Sequence, residues 1–185
     1  MKEETLEGPI VSRSRLEFLC DGVFAIAMTI LVLELKVPDL ADRRSVAELA
    51  SALAHEAPTF FSYLLSFVVL GIFWFRHDQQ YRAFRIITPG MLMLHFAQLA
   101  GAAFFPFCAA LMGRYPTNPL TIVVYLGCIL VYAWSSLAIW VVARKTGSTA
   151  DLTTAAYEKS RSRWLRACLV VSMFFVFNLI RTLAN

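Results

Sequence analysis

The chain has 185 residues, of which 58% are hydrophobic and only 16% are charged. A soluble domain carries about 25% charged residues because its surface faces water, so this composition favours a protein solvated by a lipid bilayer. The net charge of +4 does not indicate a nucleic acid partner, because the basic residues lie between apolar runs and form no stripe with interleaved aromatic residues.

Five apolar runs are long enough to cross a bilayer, which takes about 20 mostly apolar residues. They predict an all-α, polytopic transmembrane bundle that forms a single domain over residues 1–185. A weak helical pattern is also present in the polar stretch 38–56, between the first two runs. The predicted spans are approximately 16–37, 57–76, 86–113, 115–143 and 165–183.

The basic residues predict how the chain is oriented in the membrane. With five spans and a cytoplasmic N-terminus, most of the 17 Lys and Arg residues fall on the cytoplasmic side, as the positive-inside rule requires. The segment 160–166, before the last span, is basic and suits the anionic inner leaflet. We therefore expect a multi-pass protein of a cell membrane, with the bacterial plasma membrane as the expected location.

Nothing in the sequence is typical of an enzyme, a metal site or a redox pair. The chain has neither a GxSxG nor an HExxH motif. Its cysteines are far apart, lie within or beside apolar runs, and form no CxxC. We expect no cofactor. The cysteines are Cys20, Cys108, Cys128 and Cys168.

The first apolar run carries acidic residues, which the other runs lack. Arg15, Glu17 and Asp21 lie at its start, and Glu17 and Asp21 are four residues apart, hence on one helix face. Two interpretations remain open at this point. These residues are either ordinary interfacial charges, or Asp21 lies near membrane depth and bonds to neighbouring helices, since a buried carboxylate needs partners.

A branched apolar stripe follows these charges. Ile26, Ile30 and Leu33 recur at helical spacing, and Thr29 lies beside them. Such a stripe is often a packing or lipid-facing surface. If several copies of the helix meet around an axis, however, the stripe forms a hydrophobic constriction that gates by dewetting, and the Thr29 hydroxyl offers an oxygen to an ion.

The segment 15–35 resembles the first helix of the transmembrane protein 175 family; it reads RLEFLCDGVFAIAMTILVLEL. The members of this family are potassium channels of endolysosomal membranes and bacteria. The family signature reads Arg-x-x-x-Phe-Ser-Asp, and Arg15 and Asp21 match it. The resemblance implies a homo-oligomeric, tetrameric assembly, potassium as the permeant ion, and a pore lined by the first helix. The implied constriction and selectivity residues are Ile26, Thr29, Ile30 and Leu33.

Later segments extend the resemblance over roughly residues 13–143. SYLLSFVVLGIFW at 62–74, followed by His77, resembles the second helix with its Trp-x-x-His ending. His95 stands where the third helix usually carries Asn, and FPF at 105–107 with ALMG at 110–113 resembles its close. The resemblance implies a polar network that holds the pore helix. Its members are Arg15, Asp21, Trp74, His77 and His95.

Two features depart from the family pattern. Leu19 and Cys20 replace the signature Phe and Ser, which implies the loss of one packing group and of one hydroxyl partner for Asp21. Bacterial members usually have six spans, whereas five are predicted here.

Two rival functions follow from the same residues. A proton-coupled carrier would use Asp21, His77 and His95, because histidine and carboxylate relays are typical of such proteins. A membrane assembly protein that does not conduct is the other alternative.

Overall fold

A computed structural model describes residues 13–149 and 151–184. This part of the chain consists of helices and connecting turns, with no strand, and five of its helices are long and apolar enough to cross a membrane. The predicted all-α transmembrane class and the number of spans are confirmed. In chain order the helices are α1 (Arg13–Ile30, continued by a 3-10 turn over Leu31–Glu34), α2 (Val46–His55), α3 (Ala57–Ala83), α4 (Pro89–Arg114), α5 (Pro119–Lys145) and α6 (Thr154–Leu183).

The helix starts follow from local sequence. Four helices are preceded by a Ser, Thr or Asn whose side-chain oxygen accepts a hydrogen bond from a free backbone amide of the first turn. α3, α4 and α5 also have proline in the first turn, where its missing N–H removes no helical bond. The four capping residues are Ser45, Thr88, Asn118 and Thr153.

Several predicted boundaries differ from the helices. α1 with its 3-10 turn ends at Glu34 rather than 37, because the chain approaches Pro38 and the residue before a proline disfavours helix. α3 runs on to Ala83 and α6 begins at Thr154. Both extensions are polar because these helices continue beyond the hydrocarbon layer. The length of an apolar run does not predict such a segment.

α4 and α5 form the middle of the bundle, where α4 also contacts α1 and α3, and α6 packs on the outer side of α5.

The bundle centre is filled by aromatic side chains. Phe73 stacks on Tyr132 with ring centroids 3.9 Å apart and planes at 3°, and the Tyr132 hydroxyl donates to the Phe73 carbonyl oxygen at 2.5 Å. Phe24 packs edge-on against Tyr132 and Phe105 edge-on against Phe73. The centre of the protomer therefore holds side chains and not a channel.

α3 and α4 lie in close contact at the end predicted to be outside. A Cβ at Gly113 would lie 3.0 Å from the Cα of Thr59, a tight contact that would push the two helices apart by a few tenths of an ångström. The absence of a side chain at Gly113 therefore favours this helix contact, whereas a Cβ at Gly90, in the first turn of the same helix, would meet no atom within 4 Å.

We expect Gly113→Val to lower the free energy of unfolding by about 1–3 kcal/mol, the usual cost of overpacking. Gly90→Val is the matched control, since it introduces the same side chain into open space on α4. The thermal unfolding midpoints of the two purified variants measure the difference. Equal midpoints would show that α3 and α4 are not in close contact at Gly113.

Candidate functional site

α1 has two distinct faces. The buried residues of its inner face recur at helical spacing and pack into the aromatic core. The opposite face is free in the protomer, where Ile26 is 60% and Leu33 71% exposed. Thr29 and Ile30 are exposed on the same side, so the four predicted constriction residues share one uncovered face. The buried inner residues are Leu16, Cys20, Phe24, Ala27 and Leu31.

The Asp21 carboxylate is tied to a neighbouring helix. The indole Nε1 of Trp74, on α3, donates to Asp21 Oδ1 at 2.8 Å. A hydrogen bond to a charged acceptor is stronger than one between neutral groups. This bond fixes the start of α1 against the middle of α3, and it joins two of the five predicted network residues.

His77 and His95 lie together inside the bundle. Both are buried, and their rings meet edge-to-face with centroids 5.2 Å apart. Tyr81 contacts both rings, at 4.6 Å from His77 and 4.8 Å from His95. Within residues 13–149 and 151–184, the Nε2 atoms of His77 and His95 have no hydrogen-bond partner.

A chain of amides continues from the histidine pair into α5. Gln98 Oε1 lies 3.0 Å from His95 Nδ1, and Gln98 Nε2 donates to Ser136 Oγ at 2.6 Å. Gln80 Nε2 donates to the Ser136 carbonyl oxygen at 3.1 Å. The sequence reasoning missed Gln80, Gln98 and Ser136. For Gln98 and Ser136 the detectable signal was a polar residue within an apolar run, with Gln98 one turn after His95. Gln80 lies in the polar extension of α3, where nothing distinguishes it.

A cavity of about 320 Å³ connects the two halves of the predicted network. Asp21 and His77 both line it, so the carboxylate and the buried histidine share one space. Arg15 lies exposed at the start of α1 and has no hydrogen bond or ion pair among the described residues. The structure thus brings Asp21, Trp74, His77 and His95 into two adjacent groups and leaves Arg15 apart. The cavity is lined by Glu17, Asp21, His77, Asp78, Tyr81 and Arg82.

The two replaced signature positions lie on opposite sides of α1. Cys20 is buried, and its Sγ lies 3.8 Å from the Tyr81 hydroxyl. Leu19 is 45% exposed on the outer side. Position 20 therefore faces the tyrosine of the histidine cluster rather than Asp21, whose partner is Trp74.

The fold and this site define a class of protein: a polytopic helical membrane protein whose first helix is anchored by a polar network and keeps an apolar face uncovered. Residues 15–106 match the family model described as endosomal/lysosomal potassium channel TMEM175. A solved structure of a TMEM175 homologue from Chamaesiphon minutus, described as a lysosomal potassium-selective channel, superposes with a TM-score of 0.69 at 25% identity. That match covers 92% of this chain and 97% of the homologue.

Bacterial relatives match over most of their length. A potassium channel from Chamaesiphon minutus is 33% identical over 79% of this chain and 71% of its own length. A potassium channel from Streptomyces collinus is 31% identical over 74% of this chain and 67% of its own. The match to bovine TMEM175, named an endosomal/lysosomal proton channel, covers only 30% of that protein. The chain belongs to the TMEM175 family, a family of ion channels rather than of enzymes.

The Asp21–Trp74 bond is open to a direct energetic test. In a double-mutant cycle of Trp74→Phe and Asp21→Ala we expect a coupling energy of about 1 kcal/mol, because either change removes the same charged hydrogen bond. Trp134→Phe, which removes a neutral bond to Ser172, is the control and should show no coupling to Asp21→Ala. Thermal unfolding of the purified variants gives the values, and strictly additive effects at Trp74 and Asp21 would contradict the bond.

Proposed function

We propose that this chain is a potassium-permeable channel whose pore is lined by the free face of α1 from several copies. The observation that carries the proposal is that face itself: it is uncovered in the protomer although α1 is anchored on its other side. The relatives named potassium channels support potassium as the permeant ion.

The ion path is proposed to lie between protomers because aromatic side chains fill the bundle centre of the described residues. Phe24, Phe73, Phe105 and Tyr132 occupy the bundle centre, and closely packed side chains exclude water and ions. A symmetric ring of copies encloses a path on its axis. Closed symmetry is the usual form of a homo-oligomer, and we propose a homotetramer in the bacterial plasma membrane.

The side chains along the free face suit a gate. Gly22, at the start of the face, is small, whereas Ile26, Ile30 and Leu33 follow with branched side chains. In a ring of α1 helices the path therefore narrows from the predicted cytoplasmic side outward. A narrow path lined by apolar groups loses its water and stops ions without being sterically sealed.

Thr29 is the polar group within this apolar face. Its hydroxyl donates to the Ile26 carbonyl oxygen at 2.9 Å. The hydrogen is thereby directed back to the helix, and the oxygen lone pairs remain available to a cation. A ring of such oxygens partly replaces the hydration shell of an ion in the constriction, which is the role we propose for Thr29.

Potassium flux into liposomes tests the pore assignment. We expect Ile30→Asn and Leu33→Asn each to raise the flux severalfold, because a polar side chain keeps water in the constriction. Val170→Asn is the control, since Val170 is an exposed apolar residue of α6, and it should leave the flux unchanged. If neither α1 variant changes the flux, α1 does not line the pore.

The carrier alternative also has an observation in its favour. His77 and His95 are buried beside each other with free Nε2 atoms among the described residues, and His77 shares a cavity with Asp21. Such an arrangement suits the transfer of a proton between neighbouring groups.

Potassium flux measured with and without a proton gradient distinguishes the carrier from the channel. A carrier requires the gradient for potassium uptake, shows saturation, and loses uptake in Asp21→Asn. The channel account expects discrete single-channel current steps and potassium flux in the absence of a proton gradient. Uptake that occurs only with a gradient would replace the channel proposal with the carrier.

A further inference from the structure

A second cavity, here called the α3–α6 pocket, lies at the end of the bundle that is predicted to be cytoplasmic. It has a volume of about 230 Å³, which is room for several water molecules at roughly 30 Å³ each. It is separate from the Asp21 cavity and from the free face of α1. The pocket is lined by Arg76, Gln79, Gln80, Ala83, Trp140, Leu152, Ala156, Ser160, Arg163 and Trp164.

The charges of the α3–α6 pocket are all of one sign. It contains two arginines and no acidic residue. Arg76 Nη1 donates to the amide oxygen of Gln79 at 3.2 Å, and Arg163 has no carboxylate partner among the described residues. Two nearby arginines do have carboxylate partners: Arg161 pairs with Glu158 at 3.3 Å, and Arg82 pairs with Asp78 at 2.9 Å. The pocket therefore has positive charge that no side chain lining it neutralises.

A buried donor in the same wall is also without an acceptor. Trp140 is only 4% exposed, and within the described parts of the chain its indole Nε1 has no hydrogen-bond partner. Phe84 and Tyr157 pack edge-on against the ring and hold its orientation. The Nε1 atom is itself buried, so it does not reach the open space of the pocket, and the ring of Trp140 forms an apolar part of the wall.

We propose that the α3–α6 pocket binds a phosphate group. Phosphate oxygens accept several hydrogen bonds at once, and the planar fork of arginine matches them bidentately. Arg76 and Arg163 supply charge and several N–H donors, and the Ser160 hydroxyl supplies a neutral donor. The site is independent of the ion path on α1.

The phosphate group has two sources: the headgroup of an anionic lipid or a free phosphate ion. The pocket lies where anionic headgroups of the cytoplasmic leaflet are found. Its wall includes the apolar side chains of Leu152, Ala156 and Trp164, and the outer side of α6 continues as exposed apolar residues such as Leu165 and Leu169. These features suit a ligand that carries an acyl chain.

The test uses the purified full chain in a neutral detergent. Phosphatidylglycerol, phosphatidylcholine or inorganic phosphate is added, bound lipid is counted by native mass spectrometry, and the unfolding midpoint is recorded. We expect phosphatidylglycerol, and not phosphatidylcholine, to bind and to raise the midpoint. Arg76→Gln and Arg163→Gln should each weaken its binding about fivefold, the contribution of one basic residue at an anionic membrane surface.

Arg161→Gln is the matched control, because it removes the same charge from α6 two residues away while its guanidinium belongs to an ion pair with Glu158. It should leave binding unchanged.

Each outcome decides the proposal. A rise in the midpoint with inorganic phosphate alone identifies a free phosphate as the source and supports the site, as does the expected response to phosphatidylglycerol. The proposal is overturned if neither ligand binds, or if Arg161→Gln weakens binding as much as Arg163→Gln. Arg163 is exposed, so its substitution leaves the fold intact and keeps the test valid even where Arg76→Gln misfolds.

Discussion

The stack of Phe73 on Tyr132 is the contact on which the rest of the molecule depends. It joins α3 to α5, and the bond from the Tyr132 hydroxyl to the Phe73 carbonyl oxygen fixes the register of the two helices. Phe24 of α1 and Phe105 of α4 pack on this stack. Inside a bilayer, helices associate mainly through such packing and interhelical hydrogen bonds, because lipid tails are as apolar as the side chains. A filled centre stabilises the protomer, and within the part of the chain that the structure describes it leaves no room for ions among these four side chains.

The free face of α1 follows from this packing. Phe24 and its inner neighbours attach one side of α1 to the core, and the Trp74–Asp21 bond holds the start of the helix against α3. The opposite side is left uncovered with its apolar residues and Thr29. The buried polar cluster around His77 and His95 lies behind the anchored side, where Phe24 contacts His77 and Cys20 contacts Tyr81. Anchoring on one face and exposure on the other are what a helix needs to line an axis between copies.

The sequence predicted the helical class, the five spans and the family, because apolar length and the segment around Asp21 are local features. Trp74, His77 and His95 were identified through the resemblance, and the structure adds which of them touch: Asp21 with Trp74, and His77 with His95. Gln80, Gln98 and Ser136 were missed because their partners lie 18 to 56 residues away in the chain. The α3–α6 pocket was equally hidden, since it forms only where α3, α5 and α6 pack together.

Disulfide crosslinking between copies in the membrane tests the central claim most directly. Two cysteines can be bridged only when their Cα atoms are within about 7 Å, and the four native cysteines are buried. If α1 lines a common axis, Leu33→Cys forms crosslinked dimers on mild oxidation, whereas Leu169→Cys on the exposed side of α6 stays monomeric. Crosslinking through Leu169→Cys without crosslinking through Leu33→Cys would place α6 between the copies and contradict a pore lined by α1.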